Sequence, residues 1–203
     1  MFLPSKQSFR GSEMPDIVPF VDYWEANYLT EVGDDHEYFE ALNLGNNLTH
    51  DNLAELFRWK SHRFHSQKTK AGDSNPRVAK VHEHIDEINA FRQRKLSVEN
   101  FRKVGSQVFR SGNVLSGFLF HIARPSEWPI GDQHVYRSYS MLFDKPQSNK
   151  LTFYFQYGIY FQSMAKELRR LTNTNSAEEA LVRCDKRLDR ALVKYGQHLE
   201  ANS

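Results

Sequence analysis

The stretch RSGNVLSGFLFHIARPSEWPIGDQHVYR, residues 110–137, decides how this chain of 203 residues is read. Ser111-Gly112-Asn113 ends one helix and lets another begin at a sharp angle, because Gly and Asn most readily adopt a positive φ. Val114, Leu115, Phe118, Leu119 and Ile122 then share one helical face, while Ser116 and Gly117 allow a neighbour to approach closely. Pro129 cannot continue a helix and holds Trp128 extended, so the chain must turn over residues 125–131. Asp132 stands where the next helix starts, ahead of His134-Val135-Tyr136-Arg137. On residue type alone, an Asp at this place is a helix N-cap.

The same helical spacing extends outward in both directions. Upstream, Ser97-Val98-Glu99-Asn100 opens a helix carrying Phe101, Val104 and Val108 into the Ser111-Gly112-Asn113 break. Asn75-Pro76 starts one long helix over residues 77–95, with Val78, Val81, Ile85, Ile88 and Phe91 on its core face. Further helices are expected over 22–32 and 34–44, stopped by Gly33 and Gly45. Another runs from a Thr49-His50-Asp51-Asn52 cap through Leu53, Leu56 and Phe57. Residues 1–19, with Pro4, Pro15 and Pro19, read as an extended arm.

Downstream, a helix through Val135, Tyr139 and Leu142 ends near Asp144. A helix over 153–171 carries Tyr157, Phe161, Met164, Leu168 and Leu171. An amphipathic helix over 177–199 carries Leu181, Cys184, Leu188, Leu192 and Tyr195. Leu151-Thr152-Phe153-Tyr154-Phe155 is β-prone by residue type. No internal repeat and no set of Val/Ile strands accompanies it, so the chain reads as all-α.

Composition narrows the classes. Hydrophobic residues make up 39% and aromatics 13%, which fits a packed domain and excludes a disordered chain. One cysteine, Cys184, excludes a disulfide framework, a four-cysteine cluster and a multi-cysteine zinc site, and fits the reducing cytoplasm. No apolar run approaches the ~20 residues that span a bilayer. The net charge of +2 selects no partner, but its distribution is uneven. Residues 20–57 hold nine acids and no Lys or Arg, whereas residues 58–70 hold five basic residues and no acid. Residues 91–110 then add Arg92, Arg94, Lys95, Arg102, Lys103 and Arg110 against Glu99 alone. Such asymmetry fits either a phosphate-facing surface or ordinary solvated helix faces. His62/His65 and His82/His84 point to metal only weakly: the i,i+2 spacing of His82/His84 sends their rings to different helix faces, no third ligand is evident, and no metal is assigned.

Residues 110–137 resemble the helix-hairpin-helix DNA glycosylases, whose signature is a hairpin, a buried helix, a Gly/Pro-rich turn and a catalytic Asp. Gly112 and Asp132 are twenty residues apart, the interval between the hairpin's second glycine and that Asp in endonuclease III-like members. Asp132-Gln133-His134-Val135-Tyr136-Arg137 is similar to their Asp-x-His-(Ile/Val)-x-Arg. Trp128-Pro129-Ile130-Gly131-Asp132 is similar to the Phe-Pro-x-Gly-Asp of the alkylation-repair branch. The close resemblance covers 28 of 203 residues. Of the family's Leu-Pro-Gly-(Ile/Val)-Gly hairpin only Gly112 survives, and Val114 occupies the position of the Lys that strand-cutting members carry.

The resemblance implies a single all-α glycosylase-like domain of two helical lobes with a cleft between them. Residues 46–131 would form the lobe carrying the hairpin at 110–114, and residues 20–45 with 132–203 the other. It implies a monofunctional enzyme without cofactor or iron–sulfur cluster, a monomer that takes double-stranded DNA containing a modified base. Asp132 would be the catalytic carboxylate, and Arg110, Ser111, Gly112, Asn113, His134 and Arg137 would contact DNA. Trp24, Trp128 and Tyr157 are candidate walls for an extruded base; aromatics at helical spacing equally serve a core. Two other readings stay open: a non-catalytic DNA-binding module on the same frame, and an unrelated all-α interaction protein.

Overall fold

The computed structural model describes residues 16–32, 35–60, 76–109, 113–146 and 151–202. Among the described residues every regular element is a helix. They are α1 (Ile17–Val32), α2 (His36–Leu42), α3 (His50–Lys60), α4 (Pro76–Glu83), α5 (Ile85–Arg92), α6 (Val98–Val108), α7 (Asn113–Ala123), α8 (Gln133–Phe143), α9 (Leu151–Leu171) and α10 (Glu178–Ala201). The chain is therefore all-α. No described helix is long and apolar enough to cross a membrane.

Three boundaries differ from those expected. First, α1 begins at Ile17, so the end of the supposed arm is helical. Pro19 causes no conflict, because a proline in the first turn removes an N–H that has no intrahelical acceptor. Second, the single helix expected over 77–95 is two helices, interrupted at His84 with φ −107° and ψ 20°. Third, the β-prone start of α9 is helical: Phe153, Tyr154 and Tyr157 bury together on one side of it, so packing decides where propensity is weak. Helix ends otherwise follow local chemistry. Ser97 caps α6 by accepting from the Asn100 amide, and Asn43 and Asp144 close α2 and α8 in the left-handed conformation.

The chain divides into two compact units, Asp34–Glu127 and Met1–Gly33 with Trp128–Ser203. In the first, α7 is buried on nearly all sides, every residue from Ser116 to Ala123 being inside. Phe120 meets the stacked pair Phe91–Phe101 edge-on, with centroids 5.4 and 5.0 Å away. The Arg92 guanidinium donates to the carbonyls of Ile122, Leu42 and Asn43 at 2.8–2.9 Å. It thereby satisfies acceptors at the ends of α7 and α2 that have no intrahelical donor. Arg124 donates to the Phe91 carbonyl and lies 3.8 Å over its ring. Arg94 pairs with Glu127. Three basic side chains of this region are thus spent on internal bonds.

In the second unit α10 is the central element, in contact with α1, α8 and α9. Its sequence reads as amphipathic, yet Asp185, Lys186, Asp189 and Arg190 are buried alongside Leu188, Ala191 and Leu192. Each buried charge has an opposite partner, the condition for tolerating it. Lys186 pairs with Asp189 at 2.7 Å, and Arg169 of α9 pairs with Asp185. Arg190 and Arg187 both reach Glu25 of α1, Arg187 also takes Asp22, and Lys194 takes Glu31. Part of the acid-rich N-terminal region therefore forms a seam of ion pairs along α10.

Candidate active site at the head of α8

Asp132 precedes α8 in extended conformation, with φ −153° and ψ 176°. Its Oδ1 accepts from the amides of His134 at 2.8 Å and Val135 at 3.0 Å. These bonds satisfy two donors that a helix start leaves open, a contribution of about 1 kcal/mol. They also fix the direction of the half-buried carboxylate. The N-cap reading of the residue is therefore correct as local structure.

The turn ahead of it is packed inside the unit. Pro129, Ile130 and Gly131 are buried, and the Tyr154 hydroxyl donates to the Pro129 carbonyl at 2.9 Å. Gly131 lies in close approach to two side chains: a Cβ there would lie 2.6 Å from the Tyr136 hydroxyl oxygen and 3.0 Å from Tyr154, so one of them would have to shift. Behind α8, Gly196 lets α10 run against its first turn, since a Cβ would overlap the His134 carbonyl.

Two buried phenols, Tyr136 and Tyr157, belong to the same unit as Asp132. Tyr136 and Tyr157 meet edge to face with ring centroids 5.8 Å apart, and both hydroxyls are buried without a hydrogen-bond partner. Burial first, and then the charge of Asp132, raises Tyr136 above the ordinary phenol range. Tyr157 is pushed well above it by burial, followed by Asp189 and Asp132. Both therefore stay protonated.

The other expected site residues are distributed as follows. Trp128 is half-buried, stacked beside Tyr154 at 6.4 Å and edge-on to Phe155 at 5.6 Å. Tyr157 lies close enough to Asp132 to feel its charge, whereas Trp24 packs into the α1–α10 seam against Tyr195 and His198. Arg137 donates to both carboxylate oxygens of Glu200 at 3.1 Å and to the Gly196 carbonyl at 3.2 Å. His134 lies 3.2 Å from Arg137 and 3.5 Å from Glu200. These contacts fasten the start of α8 to the end of α10. Arg110, Ser111 and Gly112 lie outside the described residues. Asn113 is the first residue of α7.

The chain matches no family model, no curated protein and no solved structure. Among the described residues, no group of three or more His, Cys, Asp or Glu side chains could hold a metal ion; His62 and His65 lie outside them. Sequence reasoning overlooked Tyr136, which fills an unspecified place in the Asp-x-His-Val-x-Arg pattern. A signal was present: a polar aromatic one turn after an acid, on an otherwise apolar face.

Proposed function

We propose that the chain is a monofunctional DNA glycosylase, with Asp132 the carboxylate that assists hydrolysis of the N-glycosidic bond of a modified base. The observation that carries this reading is the setting of Asp132. Two backbone amides hold its carboxylate fixed, beside a glycine turn and two buried phenols. A fixed charge stabilises a developing oxocarbenium ion without reorganising at the moment of reaction, which is the source of much electrostatic catalysis. The target base must first leave the stack, because no side chain reaches its glycosidic bond within a duplex.

Resemblance supplies the remaining parts. Arg110, Ser111, Gly112 and Asn113 would hold phosphates through the N-terminus of α7, a contact that carries no sequence information. Arg137 and His134 are engaged with Glu200, so in this proposal they orient α8, and a phosphate reaching Arg137 would have to displace that carboxylate. Val114 stands where strand-cutting relatives have Lys, so the product is an intact strand with an abasic site. The cap bonds also favour a plainer reading, in which Asp132 only secures α8.

The test is to incubate purified protein with duplexes carrying alkylated, oxidised, deaminated or hypermodified bases. Free base should be released from at least one, with strand breakage appearing only after alkali and no adduct trapped by borohydride. Release from none of them would remove the proposal. Cleavage with borohydride trapping would replace it with an amine-dependent mechanism.

A further inference from the structure

The two sides of the Arg137–Glu200 pair are held differently. The guanidinium donates to both carboxylate oxygens at 3.1 Å, and its Nη1 also donates to the Gly196 carbonyl at 3.2 Å. Nη1 lies 3.2 Å from Nδ1 of His134, a residue whose backbone amide is bonded to Asp132. Where these groups meet, α8 and α10 touch backbone to backbone, since a Cβ on Gly196 would overlap the His134 carbonyl. The cation is therefore anchored on main chain as well as on the acid. Glu200 stands in the last turn of α10, and its side chain is 53% exposed against 25% for Arg137. The acid is the outer member of the pair and the cation the inner one.

We propose that Glu200 is an autoinhibitory cover, its carboxylate occupying the place of a DNA phosphate on Arg137 until a duplex displaces it. The inference rests on the duplex binding assumed in the glycosylase reading and adds to it a control on affinity. A carboxylate and a phosphodiester each present two oxygens that accept from the planar guanidinium fork, so one replaces the other without moving the arginine. The Gly196 carbonyl keeps the guanidinium in place while the exchange occurs. An ion pair this exposed contributes little to stability, which leaves the acid able to give way. Its displacement costs the same for every sequence, because a phosphate contact carries no base information. The cover thus lowers affinity for all duplexes alike, and it does so most at low salt, where the competing charges are least screened.

The test uses the full chain and compares wild type, Glu200→Gln, Arg137→Ala and the double variant for binding to one duplex across a range of potassium chloride concentrations. Glu200→Gln keeps the length of the side chain and removes its charge. It should bind about fivefold more tightly at low salt, the scale of an exposed ion pair. Its salt dependence should steepen by up to about 0.9 in log–log slope, the increment of one phosphate contact. In the Arg137→Ala background the same change should gain much less, because the cation that the acid covers is gone. Equal or weaker binding by Glu200→Gln, with or without a lower melting temperature, would overturn the cover and show that Glu200 only fastens α8 to α10. An undiminished gain in the Arg137→Ala background would also overturn it, since general loss of negative charge would then explain the effect. If the wild type releases base while Glu200→Gln gains no affinity, the cover falls and the glycosylase reading stands. An affinity gain that requires Arg137, without base release from any duplex, would keep the cover and remove the enzyme. Failure of both wild type and Glu200→Gln to bind duplex would remove both.

Discussion

Gly196 and Gly105 each lie where another segment crosses closely, and the two places respond differently to a methyl group. At Gly196 the added carbon overlaps the His134 carbonyl, which is backbone and cannot swing away; at Gly105 it meets Ser116 at an ordinary 3.5 Å. Gly196→Ala should therefore cost about 3 kcal/mol, near the upper end for overpacking. Gly105→Ala, inside α6, should be neutral or gain up to about 1 kcal/mol from helix propensity. Urea denaturation of the two variants checks the contrast, and equal effects would contradict the packing described. Asp132 could be read from the sequence as both cap and catalytic candidate because its signal is local. The close approach of Gly196 to the first turn of α8 could not be read, and Tyr157 was one candidate wall among three, because the tertiary packing of α9 and α10 places both.

At the scale of elements, the α9–α10 contact contains a testable electrostatic device. Asp185 is pushed up to about 6 by burial, against the opposing hydrogen bond and charge of Arg169, which donates to it from Nε at 2.7 Å. An unfolded Asp titrates near pH ~3.9, so the native state holds this proton more tightly. The resulting stabilisation is fully present below about pH 4 and is lost as pH rises through 6. Arg169→Gln removes the opposing partner and raises Asp185 further. Its stability deficit should be small at pH 5 and grow to roughly 2 kcal/mol or more by pH 8, read from urea midpoints. A deficit independent of pH would contradict this.

The helices themselves were largely legible, because their apolar spacing is a local property of the chain. The break at His84 was not, since Val81, Ile85 and Ile88 keep helical spacing across it. The central position of α10 was hidden for a related reason. Its Asp, Lys and Arg residues look solvent-facing until Glu25, Asp22 and Arg169 are placed beside them.

For the molecule as a whole, the all-helical class follows from the sequence, whereas the two compact units follow from contacts that periodicity does not encode. Asp34–Glu127 is one continuous stretch with its own core of Phe57, Phe91, Phe101, Phe118 and Phe120. Units of this size with a private core can fold alone. Residues 34–127 expressed separately should give a helical circular dichroism spectrum and a cooperative melt; a non-cooperative melt would show that the core needs the rest of the chain. The other unit joins two distant stretches, so no single cut isolates it.

In the proposed glycosylase it is the charge of Asp132, and not its capping bonds, that assists bond breaking. Asp132→Asn tests it most directly, because Asn caps a helix nearly as well as Asp and keeps the shape. Single-turnover base release should fall ~100-fold or more, while α-helical content, melting temperature and duplex affinity stay close to wild type. Base release by Asp132→Asn at the wild-type rate would contradict the account.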